Sequence, residues 1–284
     1  GIDYPSLVNS VFNSQKINWR VGYYKNSYIG FSSNQQLRKN GASGGVITSL
    51  LIYLLEENLI DGAVTLKHGS PKPWLAEPII ATTAQEIRDG AQSVYAPIPV
   101  NTIFDKVKTF DGILAFVGLP DQIASLRYIQ NQNISWAKKI KYVFGPYVGT
   151  NMYTDSIKSF LISNGYKNLE DIYSLKYRDG EWPGYLKINM KDGNILKAEK
   201  FYYNYLIPFY ITKSSLLSTD FTNELTDISV GDAWNPKYEN LGKGFSVVIS
   251  RSKVGEKLLK DMKRKNLLNL DRIGLKETLD MHGH

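Results

Sequence analysis

Within this 284-residue chain, the string Gly41-Ala42-Ser43-Gly44-Gly45-Val46-Ile47-Thr48 is the segment best suited to holding an anion. Glycine lets a backbone come close to a ligand, and the unpaired N–H groups of a helix start favour negative charge, so a diphosphate fits both demands. The same string also describes an ordinary, tightly packed helix start. Two further segments share the order of apolar strand, small or proline-containing turn, then helix: Val117-Gly118-Leu119-Pro120-Asp121 and Phe144-Gly145-Pro146-Tyr147-Val148-Gly149-Thr150-Asn151. In an open α/β sheet, turns that follow the carboxyl ends of strands line a common crevice where ligands bind. Three such turns, distant in sequence, are expected to converge there.

The elements that must position them alternate in type. Residues 46–55 are apolar almost all round, which suits a buried helix, and residues 62–66 read as a strand. Thr83-Ala84-Gln85-Glu86 has the spacing of a capping box and should open another helix. Residues 111–117 and 139–144 read as strands. Helices are expected from Pro120, a residue type favoured at the first helical position, and over 154–162. Asp179-Gly180 and Asp192-Gly193 each sit between apolar or aromatic runs, as hairpins require. The α/β pattern resumes with strands at 228–230 and 245–249 and a helix over 254–265. The predicted fold is α/β, a mixed sheet flanked by helices with an antiparallel hairpin insertion at about 173–201. We expect a single compact unit, with 39–150 as its N-terminal half, 151–265 as its C-terminal half, and 266–284 as a tail.

Composition narrows the function. There is no cysteine, so no disulfide framework and no thiolate metal site, and the three histidines, two of them at the C-terminal end, make a histidine site an unfavoured expectation. No metal site is expected. No apolar run reaches the roughly 18 residues that cross a bilayer, and the N-terminus has neither a basic start nor an apolar signal core. It reads as the cut end of a longer, cytoplasmic chain. The net charge of +7 would suit nucleic acid, but charges of both signs are spread along the chain, and the basic cluster at 260–265 falls on a predicted helix face. A positive excess also draws in polyanionic small molecules.

Four segments look built to hold a metal cluster although no cysteine is present: Gly118-Leu119-Pro120-Asp121-Gln122, Gly145-Pro146-Tyr147-Val148-Gly149, Ser215-Leu216-Leu217-Ser218-Thr219-Asp220, and the run from Thr226 through Asp227-Ile228-Ser229-Val230-Gly231-Asp232 to Trp234. Together with Trp182-Pro183-Gly184 and Gly244-Phe245-Ser246-Val247-Val248-Ile249-Ser250-Arg251 they resemble the beta-subunit family of coenzyme F420 hydrogenases and dehydrogenases. The resemblance covers roughly residues 39–259. It implies a flavin, FAD, with coenzyme F420 as co-substrate. In the family's usual pattern Asp121, Val148, Ser215 and Ser218 would be cluster cysteines, so the resemblance implies a member without the iron–sulfur cluster.

The resemblance also implies the site residues. The flavin would lie at Ser43, Gly44, Gly45, Val46 and Thr48, with Ser93, Tyr95, Gly118, Pro120 and Asn151 as further contacts. Val94 stands where lysine is common. Asp121 is a candidate proton donor beside the flavin, if partly buried, or a plain helix-start residue. Gly44→Leu is expected to abolish flavin retention and leave the fold intact. The function that follows is an oxidoreductase moving hydride between reduced deazaflavin and an unidentified acceptor through FAD. Its partner is a small-molecule substrate or a redox subunit, and oligomeric state is left open. The alternative is a non-catalytic or regulatory subunit that keeps the fold for partner binding.

Overall fold

A computed structural model of the protein describes residues 3–14, 18–199 and 203–281. Eleven strands are named in chain order: β1 Asn26–Ser32, β2 Gly62–His68, β3 Ala76–Ala81, β4 Leu114–Val117, β5 Ile140–Pro146, β6 Ile172–Asp179, β7 Tyr185–Met190, β8 Ile195–Glu199, β9 Ile228–Asp232, β10 Ser246–Ser250 and β11 Leu268–Ile273. Eight form one mixed sheet in the order β11-β1-β10-β9-β5-β4-β2-β3, and β6-β7-β8 form a separate antiparallel sheet. The pairs β2–β4, β4–β5 and β5–β9 are parallel. Because β10 opposes both β9 and β1, β1 points the same way as β9. Five strands therefore bring their carboxyl ends to one edge.

Helices cover both faces of the large sheet. Val46–Glu56 lies on one, where Leu50 and Leu54 are fully buried against Phe144, Val230 and Val248. Its near-continuous apolar surface explains this: a helix without a polar face must be enclosed. Pro120–Asn131 and Tyr4–Phe12 lie on the other, packing Ile123, Leu126 and Leu7 against Phe116 and Val143. The small sheet packs with the helix Asp155–Ser163 through Ile157, Leu161, Ile172, Leu186 and Ile188.

Most expected elements form within a few residues of their anticipated bounds. The Thr83 capping box is present. The insertion begins at Ile172, and its hairpins turn through Gly180 and Gly193, both at positive φ. Three strands were not anticipated: β1, β3 and β11. The stretch read as a tail is partly structural, since Leu268–Ile273 pairs with β1 and Leu275–Asp280 is helical. Leu268 and Leu270 are buried while Asn269 and Asp271 face outward. That alternation is a half-buried strand; it is short, and only its partner β1, far away in the sequence, makes it an edge.

Candidate functional site

The turn at Gly41–Gly45 is held against the carboxyl end of β1 by its own backbone. Ser32 N–H donates to Gly44 O at 2.7 Å, and Gly44 N–H donates to Ser246 Oγ at 2.8 Å, an oxygen also 2.7 Å from Ser43 Oγ. Gly45 sits at φ +72°, where a Cβ would meet Leu37 O at 2.4 Å, so only glycine fits. A Cβ on Gly44 would lie 2.7 Å from Gly30 O and 3.0 Å from Phe31 Cα. This corrects the expected result of Gly44→Leu: a side chain there collides with the β1 backbone, so the fold would be lost with any ligand. Ser43 and Gly44 build the turn inward. The donors left open are at the helix start, where Gly45 supplies no side-chain cap and the first intrahelical bond is made by Ser49 N–H to Gly45 O. The N–H groups of Val46, Ile47 and Thr48 precede that bond, and Thr48 is partly exposed.

One residue that sequence reasoning passed over organises this edge. Arg178, at the end of β6 and 3 % exposed, sends its guanidinium across from the small sheet. Nη2 donates to Ala42 O at 2.6 Å and to Asp232 Oδ2 at 3.1 Å, Nη1 to Tyr95 OH at 3.1 Å, and Nε to Pro183 O at 2.5 Å. Burial alone would lower the Arg178 pKa; Asp232 and Tyr95 outweigh it, and the net shift is upward. Trp182 Nε1–H donates to the same Asp232 oxygen at 3.4 Å, and the Trp182 ring packs on Trp234. Gly184, at φ +75°, faces the Arg178 backbone 3.0 Å from its would-be Cβ. The Trp-Pro-Gly string is thus the turn that delivers Arg178. A lone arginine in a predicted strand carried no sequence signal of its own; the Trp182-Pro183-Gly184 string, which begins four positions later, did.

Of the other expected contacts, Gly118 and Pro120 belong to a second group on the same edge. Asn223, fully buried, donates Nδ2 to Gly118 O at 2.8 Å and to Pro146 O at 3.2 Å, tying together the turns after β4 and β5. Pro120 is buried at the helix start, Ser93 is half-exposed, and Val94 packs beside the small sheet's core. Asn151 N–H donates to Ser215 Oγ at 2.9 Å, so a hydroxyl where the resemblance implied a cluster ligand in other members fastens a loop. Val148 N–H donates to Phe221 O at 3.0 Å. Ser218 and Asp121 are exposed. Asp121 does not have the partial burial that an acid role presumed. Among the described residues no group of three or more His, Asp or Glu is placed to hold a metal ion. Two surface cavities, of about 290 Å³ and 400 Å³, are lined by none of the residues that converge on Arg178.

Comparison with known proteins bears directly on this arrangement. Residues 27–105 match the model of the coenzyme F420 hydrogenase/dehydrogenase beta subunit N-terminal region, and residues 112–275 match that of its C terminus. The chain belongs to this beta-subunit family. The matched span runs beyond both ends of the segment in which the motifs were legible and takes in β1 and β11. Within the family, coenzyme F420 hydrogenase subunit beta of Methanothermobacter thermautotrophicus is 27% identical over 250 residues, 84% of this chain and 82% of that protein. The coenzyme F420-dependent sulfite reductase of Methanocaldococcus jannaschii is 25% identical over 91% of this chain, which spans only 40% of that longer protein. A chain of the F420-reducing [NiFe] hydrogenase complex from Methanosarcina barkeri shares the fold, with a TM-score of 0.72 at 22% identity over 94% of this chain and 92% of that one.

A buried polar knot adjoins the second group, and it holds one of its carboxyls above the usual carboxylate range. Arg251, fully buried, donates to Val21 O and Tyr23 O at 2.6 Å each and to Thr222 O and Ser229 Oγ at 3.0 Å. Beside it, Asp220 accepts from Tyr4 OH at 2.5 Å and from Glu224 N–H. Burial, and then repulsion from Asp220, push the Glu224 pKa up to about 7, with Arg251 opposing. A carboxyl raised on folding favours the protonated native state. Its contribution is complete below the unfolded value near 4.5 and is lost as pH rises through about 7. Glu224→Gln should therefore flatten the pH dependence of stability across that window and stabilise the protein at pH 8. Urea midpoints at pH 5 and pH 8 measure it; an unchanged difference between them would remove Glu224 as the cause.

Proposed function

We propose that the protein is a flavin-dependent oxidoreductase that exchanges hydride between a deazaflavin coenzyme of the F420 type and an organic acceptor, through FAD held at the Gly41–Thr48 turn. The observation that carries this reading is the helix start at Val46, with its N–H groups uncapped by any side chain, at the edge where the carboxyl ends of five parallel-running strands meet. Membership of the beta-subunit family supports it. Coenzyme F420 is named for both curated relatives above, a hydrogenase subunit and a sulfite reductase.

The residues present fit the diphosphate of such a cofactor. Val46, Ile47 and Thr48 N–H groups and the Thr48 hydroxyl would hold it, the helix dipole adding favourable charge. The flavin, when bound, supplies hydride chemistry; the chain's part is to bind and orient. Arg178 keeps Ala42 and Tyr95 in register beside that helix start. Asp121 is assigned no proton-transfer role here, because solvent reaches its carboxylate and can exchange the proton itself.

Thr48→Glu tests the placement, because fold and ligand respond in opposite directions. A carboxylate in the first turn favours the helix by about 0.3–1 kcal/mol, yet it repels a diphosphate. The expected result is an unchanged or higher urea midpoint with flavin content of the purified protein reduced at least tenfold. Full flavin retention would place the cofactor elsewhere, and a colourless parental protein that rejects added FAD would favour a binding subunit instead.

We further propose that the isolated chain carries no iron–sulfur cluster. Thiolates are the normal protein ligands of such clusters and this chain has none. Iron and acid-labile sulfide after anaerobic purification should be far below one equivalent; stoichiometric amounts in the isolated chain would overturn this.

A further inference from the structure

The chain contains two Asn-Gly pairs, Asn40-Gly41 and Asn164-Gly165, and each stands at the end of a helix. Asn-Gly is the dipeptide most prone to losing its side-chain amide, because a glycine N–H with no Cβ beside it reaches the preceding Asn Cγ with little hindrance. The reaction needs a free glycine N–H and an asparagine side chain able to swing onto it. At Asn164 both are held. Asn164 Nδ2 donates to Phe160 O at 2.8 Å, Gly165 N–H to Ile162 O at 3.1 Å, and Tyr166 N–H to Leu161 O at 3.0 Å. At Asn40, which is exposed, the side chain makes no hydrogen bond among the described residues. Gly41 N–H reaches Arg38 O only at 3.3 Å, beyond the usual length of such a bond.

The backbone on either side of Asn40 has no slack. Before it, Arg38 is fixed with its Cζ 3.6 Å from the Phe31 ring centroid and its Nε donating to Gly244 O at 2.9 Å. After it, Ala42 O accepts from Arg178, and Gly44 is bonded through both its N–H and its C=O. A Cβ on Gly41 would lie 2.8 Å from Gly45 Cα, so the turn is folded back on itself. We propose that Asn40-Gly41 is a site of spontaneous deamidation, and that isoaspartate formed there unseats the Gly41–Gly45 turn. Gly41 N attacks Asn40 Cγ; the new C–N bond closes a cyclic imide, and the amide nitrogen leaves as ammonia with the proton that Gly41 gives up. Water then opens the imide at either carbonyl. One product is aspartate. The other, isoaspartate, routes the main chain through the former side chain and lengthens it by a methylene. Between anchors at Arg38 and Ala42 that added length cannot be absorbed without breaking one of them. This chemistry is independent of the cofactor that the turn holds.

The test incubates the purified full chain at mildly alkaline pH, where deamidation is faster, and follows both pairs by peptide mapping with mass spectrometry and an isoaspartate-specific methyltransferase assay. In the folded protein Asn40 should deamidate at least about tenfold faster than Asn164, whose hydrogen bonds must open first, and the two rates should converge once urea has unfolded the chain. The aged protein should show a second unfolding transition at lower urea, with an amplitude that follows the isoaspartate fraction at Asn40. Asn40→Gln, aged alongside, should keep the single parental transition. Fresh Asn40→Asp, which gains the charge without the lengthened backbone, should unfold at the parental midpoint. Equal rates at Asn40 and Asn164 in the folded protein overturn the site. Isoaspartate at Asn40 without an earlier transition overturns the unseating of the turn, as does a fresh Asn40→Asp that already unfolds as early as the aged protein.

Discussion

Arg178→Leu is expected to cost about 3–5 kcal/mol of stability and, if the proposed flavin is held at the Gly41–Thr48 turn, most of its affinity, the largest combined effect of any single change at the site. The magnitude follows from what is left behind. Removing one partner of a buried charge pair strands the other, a loss of about that size, and Asp232 is mostly enclosed beside Arg178. The Ala42 and Pro183 carbonyls and the Tyr95 hydroxyl lose a donor at the same time. Leucine fills the space without replacing a single hydrogen bond. Lysine keeps the charge but offers a point donor in place of a planar fork, so Arg178→Lys should fall between the two. Urea denaturation followed by circular dichroism, with flavin absorbance on the same samples, measures both effects. A parental midpoint with parental flavin content would show that the cluster neither stabilises the junction of the two sheets nor orders the turn.

Arg251→Met should be comparably damaging to stability, with a different signature. Its guanidinium serves three backbone carbonyls, those of Val21, Tyr23 and Thr222, and the Ser229 hydroxyl. Each buried carbonyl left without a donor costs about 1–3 kcal/mol. The charge itself is held at a cost, since burial lowers the Arg251 pKa with only partial compensation from Tyr147, Asp220 and Glu224. Methionine removes that cost, so the net loss should be about 3 kcal/mol. The distinguishing readout is pH. Arg251 holds the Glu224 pKa down, so its removal should move the neutral-pH loss of stability to higher pH. Stability profiles of Arg251→Met and of the double variant with Glu224→Gln separate the two: the shift should vanish in the double variant. A shift that persists would mean another group titrates.

Local signals were legible where chemistry and geometry act within a few residues. The Thr83 capping box, the two Asp-Gly hairpins, proline at the start of Pro120–Asn131 and the apolar helix after Gly45 each rest on contacts inside one element, and each is present. The edge strands β3 and β11 were not. They are short and half-polar, and they become strands only because β2 and β1 lie beside them.

For the candidate site the division is similar. The glycine turn, the Trp-Pro-Gly string and the absence of cysteine could be read from residue types alone, and family membership followed the same motifs. What the glycines do could not: Gly44 is dictated by Gly30 and Ser246, residues 14 behind and 202 ahead. Arg178 and Asp232, 54 positions apart, meet only when the small sheet lies over the edge of the large one. The exposure of Asp121 likewise depends on which face of its helix is covered. A sequence prescribes the periodicity, caps and turns of its elements because those depend on near neighbours. Which polar groups lose water, and which then become partners, depends on the packing of elements far apart in the chain, and the tertiary structure alone decides it.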